Sequence, residues 1–150
     1  MKTVVQRVSR AEVRVEGTRV ACIGTGALCL VGVEAGDLER DADATAAKIA
    51  ALRFFPGRTP MDRTLSDVGG SCLVVSQFTL AGSVRRGNRP SFEGAERPER
   101  AEALYLRVVA GLRESGLEVE TGSFGAMMEV EFVNDGPVTL LVFTREGRVV

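Results

Sequence analysis

The run Val138-Thr139-Leu140-Leu141-Val142-Phe143 is apolar on both faces, so a strand made from it has to be covered on both sides and is expected in the centre of a sheet. The rest of the chain has to supply that cover. Two segments carry a helical period. Asp37 is a plausible N-cap for the first, where Leu38, Ala42, Thr45, Ile49 and Leu52 recur until Phe55-Pro56-Gly57 stops it. Pro98 suits the first turn of the second, where Ala101, Leu104, Tyr105, Val108 and Leu112 form a stripe that ends at Ser115-Gly116. The remaining segments read as strands. Val13 and Val15 alternate with charged residues and lead through Glu16-Gly17-Thr18 into Arg19–Ile23, a hairpin. Ala27–Val33 follows the Gly24-Thr25-Gly26 turn. Ser71–Leu80 is apolar first and polar at its end, as if opening onto a site. Leu117–Thr121 and Met127–Phe132 precede the last run, and Asn134-Asp135-Gly136-Pro137 has the composition of a tight turn. This order predicts one α+β domain over residues 1–150.

No histidine is present, which removes Ser-His-Asp and Cys-His nucleophile activation, imidazole general-base catalysis and histidine-ligated zinc. Cys22, Cys29 and Cys72 sit singly among apolar residues without a C-x-x-C spacing, and are expected to be small buried hydrophobes in a reducing compartment. With 45% hydrophobic and 26% charged residues the composition is that of an ordinary globular protein. No apolar run approaches a membrane span and the N-terminus lacks a signal-like apolar region, so a cytoplasmic protein is expected, with no membrane partner. The formal charge of −1 argues against a chain-wide attraction to phosphate backbones and against DNA as a partner. Local patches remain, the densest being Arg85-Arg86-Gly87-Asn88-Arg89, which reads as either a solvated turn or a phosphate contact.

Ser76-Gln77-Phe78-Thr79-Leu80 together with Asn134-Asp135-Gly136-Pro137-Val138-Thr139 resembles the signature pair of the D-aminoacyl-tRNA deacylases. The resemblance runs through Gln6-Arg7-Val8, Gly69-Gly70, Arg89-Pro90-Ser91-Phe92, Arg100–Tyr105 and Thr121-Gly122 with Phe124-Gly125-Ala126 and Met128, in order along nearly the whole chain. A sister group acting on L-alanyl-tRNA carries Pro-Gln-Ala-Thr where this chain has Ser-Gln-Phe-Thr, so Ser76 and Phe78 point to the D-specific branch. The resemblance implies a homodimer with mixed and antiparallel sheet layers, barrel-like, and two main helices packed against them. It implies an esterase without a cofactor that releases D-amino acids, and glycine, from tRNA. Gly136-Pro137 would form a cis peptide that enters the partner's active site, braced by Arg7. Phe124 would stack near the terminal adenine, and Gly125, Ala126 and Met128 would line the pocket.

The implied chemistry is consistent with a chain lacking histidine. An aminoacyl ester is already activated, so orientation and oxyanion stabilisation matter more than nucleophilicity, and backbone amides near Gln77, Phe78 and Thr79 can supply the latter. The 2′-hydroxyl of the terminal ribose lies beside the ester and is a plausible proton shuttle. Thr79 is expected to position rather than attack, because a hydroxyl with no adjacent base stays protonated. Outside the resemblance, a noncatalytic RNA-binding module using Arg85–Arg89 and a small-molecule hydrolase remain open.

Overall fold

The computed structural model describes residues 1–150, and its framework is a strand that pairs with three others. β1 (Lys2–Val15) forms antiparallel ladders with β2 (Thr18–Ile23), β3 (Gly26–Gly32) and β6 (Glu129–Arg145). β4 (Ser71–Ser76) joins β3 in parallel, and β5 (Val119–Thr121) joins β4 in parallel. The short β7 (Arg148–Val149) closes the far side of β6. The sheet order is β5-β4-β3-β1-β6-β7, with β2 on β1. Register shifts interrupt β1 between Gln6 and Val8, between Val8 and Arg10 and between Val13 and Arg14, and such bulges bend a strand and sharpen its twist. The second half of β1, with β2, therefore curls over β3 and β4. Val8, Ala11, Val13 and Ile23 meet Leu28, Leu73 and Val75 inside the resulting half-barrel.

The opposite face of the sheet is covered by α1 (Glu39–Ala51) and α2 (Pro98–Glu114), which bury Ile49, Tyr105, Val108 and Leu112 against Val5, Cys29 and Val74. Both helices follow the sequence period, and none is long and apolar enough to cross a membrane. Asp37 does not cap α1, contrary to expectation. Its carboxylate accepts from the Glu34 amide at 2.7 Å and from the Met1 amino group at 2.6 Å. Asp41, three residues into the helix, accepts from the Leu38 amide at 2.8 Å, as the reach-back half of a capping box does.

Three strand expectations change. Asn134–Pro137 does not separate two strands; β6 runs through it as one element, and the extra residues are taken up as a bulge opposite Gln6–Val8. The 138–143 run is not central, since β1 is the one strand laddered to it and β7 pairs only with Thr144 and Arg145. Val138 and Val142 are buried, but Leu141 is 63% exposed. The 71–80 strand stops at Ser76, beyond which the chain turns into a short 3-10 turn over Phe78–Ala81. Cys29 and Cys72 are buried as expected, whereas Cys22 is exposed.

Gly26 lies where β3 leaves its turn, and a Cβ there would collide with the backbone carbonyl of Ser71 on β4. Gly24, two residues earlier, has open space around it. Because a paired backbone cannot step aside, Gly26→Ala is expected to cost at least about 3 kcal/mol in urea unfolding, while Gly24→Ala stays within about 1 kcal/mol of the parent.

Candidate active site

The polar end of β4 is built by backbone contacts. The Gln77 amide donates to the Val31 carbonyl at 2.8 Å, prolonging the β3–β4 ladder by one bond, and the Leu80 and Gly82 amides then close the turn on the Gln77 and Thr79 carbonyls at 3.2 and 3.0 Å. The turn packs directly on the end of β3, where a Cβ on Gly32 would lie 2.7 Å from Leu80 Cβ and 2.9 Å from the Gln77 oxygen. The amides of Phe78 and Thr79 precede the first donor of the turn, Leu80 N–H, so the turn itself gives them no carbonyl. Phe78 is 56% exposed and sets its ring edge-on to Phe92 at 5.2 Å. The Gln77 side-chain amide donates to Thr79 Oγ1. An amide N–H cannot take a proton, and no carboxylate or amine joins this pair. The Thr79 hydroxyl is oriented but not activated.

The loop after β5 lies against the same end of β4. The Gly122 amide donates to the Val74 carbonyl at 3.1 Å, and Met128 Sδ fills the space beside Gly122, 2.8 Å from where a Cβ would sit. Gly125 has a φ of +74°, and the Ala126 amide closes a turn on the Ser123 carbonyl at 3.2 Å. The half-buried Phe124 packs on Tyr105 with ring centroids 6.0 Å apart. Tyr105 was not among the expected site residues. Its hydroxyl donates to the Val74 carbonyl at 2.8 Å, and burial pushes its pKa up to about 12, so it remains a neutral donor holding β4 against α2. Ser76–Thr79 and the group Phe124, Gly125, Ala126 and Met128 are thus brought to one end of the sheet.

Gly136-Pro137 and Arg7 form a separate cluster. The Gly136–Pro137 peptide is cis, and Gly136 has a φ of +119°. Arg7, only 8% exposed, spans two segments. Its Nη1 donates to the Phe54 carbonyl at 2.7 Å, and its Nε donates to the Asp135 carbonyl at 3.2 Å and pairs with the Asp135 carboxylate at 3.1 Å. The Phe55 ring lies 6.0 Å below the guanidinium. With its side-chain nitrogen turned toward the backbone, Asn134 donates to the Arg7 and Val138 carbonyls at 3.0 and 3.1 Å, fastening the bulge from its other side. Neither Asp135 nor the Phe54 carbonyl was expected. A carboxylate beside Gly136 was a signal for the first, but no side chain signals the second.

One chain does not bring the two clusters together. Ser76 pairs with Val31, Val31 with Thr3, and Thr139 with Gln6, so Pro137 lies level with Arg7–Val8. The four or so residues from Thr3 correspond to about 13 Å along the strands, and the three strand gaps from β4 to β6 to about 14 Å across them. No three carboxylate, thiol or imidazole groups converge anywhere to form a metal-binding set.

A family model described as D-Tyr-tRNA(Tyr) deacylase matches residues 4–143. The D-aminoacyl-tRNA deacylase of Paracoccus denitrificans (strain Pd 1222) is 56% identical over 141 residues, 93% of this chain and 95% of that protein. That of Anaeromyxobacter dehalogenans (strain 2CP-C) is 55% identical over 146 residues, 97% and 98% of the two chains. Among solved structures, "c-Myc DNA Unwinding Element Binding Protein" superposes with a TM-score of 0.90 at 37% identity, covering 97% of this chain and 99% of that one. A structure described as "Structural Analysis of a probable eukaryotic D-amino acid tRNA deacylase" has a TM-score of 0.77 at 16% identity, covering 93% and 97%, a likeness of fold.

Replacing Arg7 removes a charged donor from the Phe54 carbonyl and frees Asp135 into solvent. Arg7→Met is therefore expected to lower unfolding free energy by roughly 1.5–3 kcal/mol, measured by urea titration, with most of the loss from the Phe54 end because Asp135 is half exposed.

Proposed function

Because the chain belongs to the D-Tyr-tRNA(Tyr) deacylase family and is a hydrolase acting on D-aminoacyl-tRNA, we propose that it cleaves the aminoacyl ester in a site completed by a second copy of itself. The observation that carries this is the separation of the two clusters. The amide-bearing turn at Ser76–Thr79 and the rigid Gly136-Pro137 turn stand far apart in one chain, and the outward face of β6 that bears Leu141 is uncovered. A two-fold pairing of chains places the turn of one against the signature of the other and covers that face.

In this arrangement the substrate carbonyl lies over the amides of Phe78 and Thr79, which stabilise the oxyanion as the tetrahedral intermediate forms; a single donor of this kind is worth about 2.7–4 kcal/mol. Thr79, held by Gln77, positions the attacking water. The substrate's own 2′-hydroxyl relays the proton, accepting one from the attacking water as it gives its own to the leaving 3′-oxygen. Phe124 stacks against the terminal adenine, with Gly125, Ala126 and Met128 beside it. The Gly136-Pro137 backbone from the partner occupies the space where an L side chain would project. The selection is steric, so a D side chain pointing away is accepted and glycine, having none, passes too. Arg7 keeps the turn stiff enough for that exclusion.

The test is release of tyrosine from matched D- and L-tyrosyl-tRNA. The proposal expects hydrolysis of the D-ester alone. Binding without release would instead indicate an RNA-binding module, and equal hydrolysis would remove the chiral role. Thr79→Ala is expected to retain activity within about tenfold of the parent, since a positioned water can be held by the remaining amides; near-total loss would restore the threonine as nucleophile. In Gly136→Ala the added Cβ meets an Arg7 guanidinium nitrogen at 2.8 Å on a backbone with a φ of +119°. The turn has to shift, and the D-over-L ratio is expected to narrow by at least about tenfold.

A further inference from the structure

The chain carries an exposed arginine hairpin that the site described above does not use. Ser83 and Ser91 exchange two backbone hydrogen bonds, at 2.8 and 2.9 Å, and so close a loop whose tip turns at Gly87 with a φ of +64°. Arg85, Arg86 and Arg89 all lie in that loop and are exposed, and no acidic residue stands between Ser83 and Phe92. Six arginines elsewhere are committed: Arg7, Arg10, Arg14, Arg19, Arg100 and Arg107 each have a carboxylate within 4 Å. None of the three hairpin arginines forms such a pair. The nearest acid along the chain, Glu93, lies outside the hydrogen-bonded closure. A loop that needs no packing of its own and concentrates three uncompensated guanidiniums, on a chain whose net charge is −1, has the chemistry of a phosphate clamp.

Its position names the occupant. Phe92, one residue past the closure, packs edge-on against Phe78, and its ring abuts Gly82, so the base of the hairpin is fastened to the same turn that presents the Phe78 and Thr79 amides. Half of the seven-residue loop reaches about 10 Å from that base. A stacked strand presents one phosphate every ~3.4 Å, so the tip stands about three nucleotides from an ester seated on the turn. We propose that Arg85, Arg86 and Arg89 grip the sugar-phosphate backbone of the substrate tRNA at its 3′ tail, giving an otherwise acidic protein its hold on RNA. The proposal rests on the deacylase reading of the site. It extends that reading from the ester to the strand that carries it.

The experiment compares the parent with R85Q/R86Q/R89Q and with the corresponding triple lysine variant. Three substrates are used: D-tyrosyl-tRNA, the D-tyrosyl ester of adenosine, which has no phosphate to grip, and uncharged tRNA in a binding assay at several salt concentrations. The glutamine variant is expected to raise KM for D-tyrosyl-tRNA about tenfold with kcat unchanged, and to flatten the log-log salt dependence of tRNA binding by about 2, three contacts at roughly 0.7 each. Hydrolysis of the adenosine ester stays as in the parent, and the lysine variant recovers most of the salt slope. Unchanged KM and salt slope would overturn the proposal. So would an equal loss on the adenosine ester, which would mean that the loop shapes the site. If the parent hydrolyses neither ester, the deacylase reading fails, while the tRNA salt slope still decides whether the hairpin binds RNA.

Discussion

A strand ladder cannot slip by one residue without turning its buried side chains to solvent, and β1 is held this way on two flanks by β3 and β6. That constraint fixes the separation of the two candidate clusters. It sets the amide-bearing turn after Ser76 at one end of the sheet and Gly136-Pro137 toward the other, with Arg7 at the bend of β1 as the rivet of the second position. Neither group can drift toward the other within a chain, because the ladders bury Val5 on the helix side and Val8 and Val13 inside the half-barrel. The bulges that let β1 curl are also what free residues 134–137 from the ladder, so the half-barrel and the projecting turn have one cause.

The site around Ser76–Thr79 is poor in titratable groups, and this suits its substrate. Hydrolysis of an activated ester requires donors placed where negative charge develops, and a protein backbone held by packing supplies these without reorganising. Gly32 allows the turn to sit directly on β3, Tyr105 anchors β4 from the helix side, and Gln77 sets the threonine hydroxyl. With no base near the hydroxyl, the proton has to move on the substrate. In the proposed arrangement, reaction and selection are carried by main chain on both sides of the cleft, and the side chains serve chiefly to hold that main chain still.

The helices, the first hairpin and the α+β class were legible because apolar spacing reports the period of an element, and Leu104, Tyr105, Val108 and Leu112 have no other arrangement that buries them all. The family and its signature residues were legible from the two short strings and their order. The continuity of β6 was not, since Asn-Asp-Gly-Pro has the same composition whether it reverses the chain or bulges out of a ladder. Leu141 was misplaced for a related reason: an apolar residue left exposed on the outer face of β6 looks in sequence like one buried in the core. The hold on Arg7 was half visible, in Asp135, and half hidden, because the Phe54 carbonyl is a backbone group. Asp37 misled because its carboxylate meets an amino group 36 residues away instead of the helix it precedes.

Mixing two inactivated chains tests the shared site most directly. One parent carries Gly136→Val, which displaces the turn; the other carries Ser76→Trp, which fills the end of β4. After the two are unfolded together and refolded, random pairing leaves one undamaged site in each mixed dimer, and deacylation of D-tyrosyl-tRNA is predicted to return to about a quarter of the unmutated level. If each chain instead builds its whole site alone, every site in the mixture keeps a lesion and no activity returns, which would contradict the account.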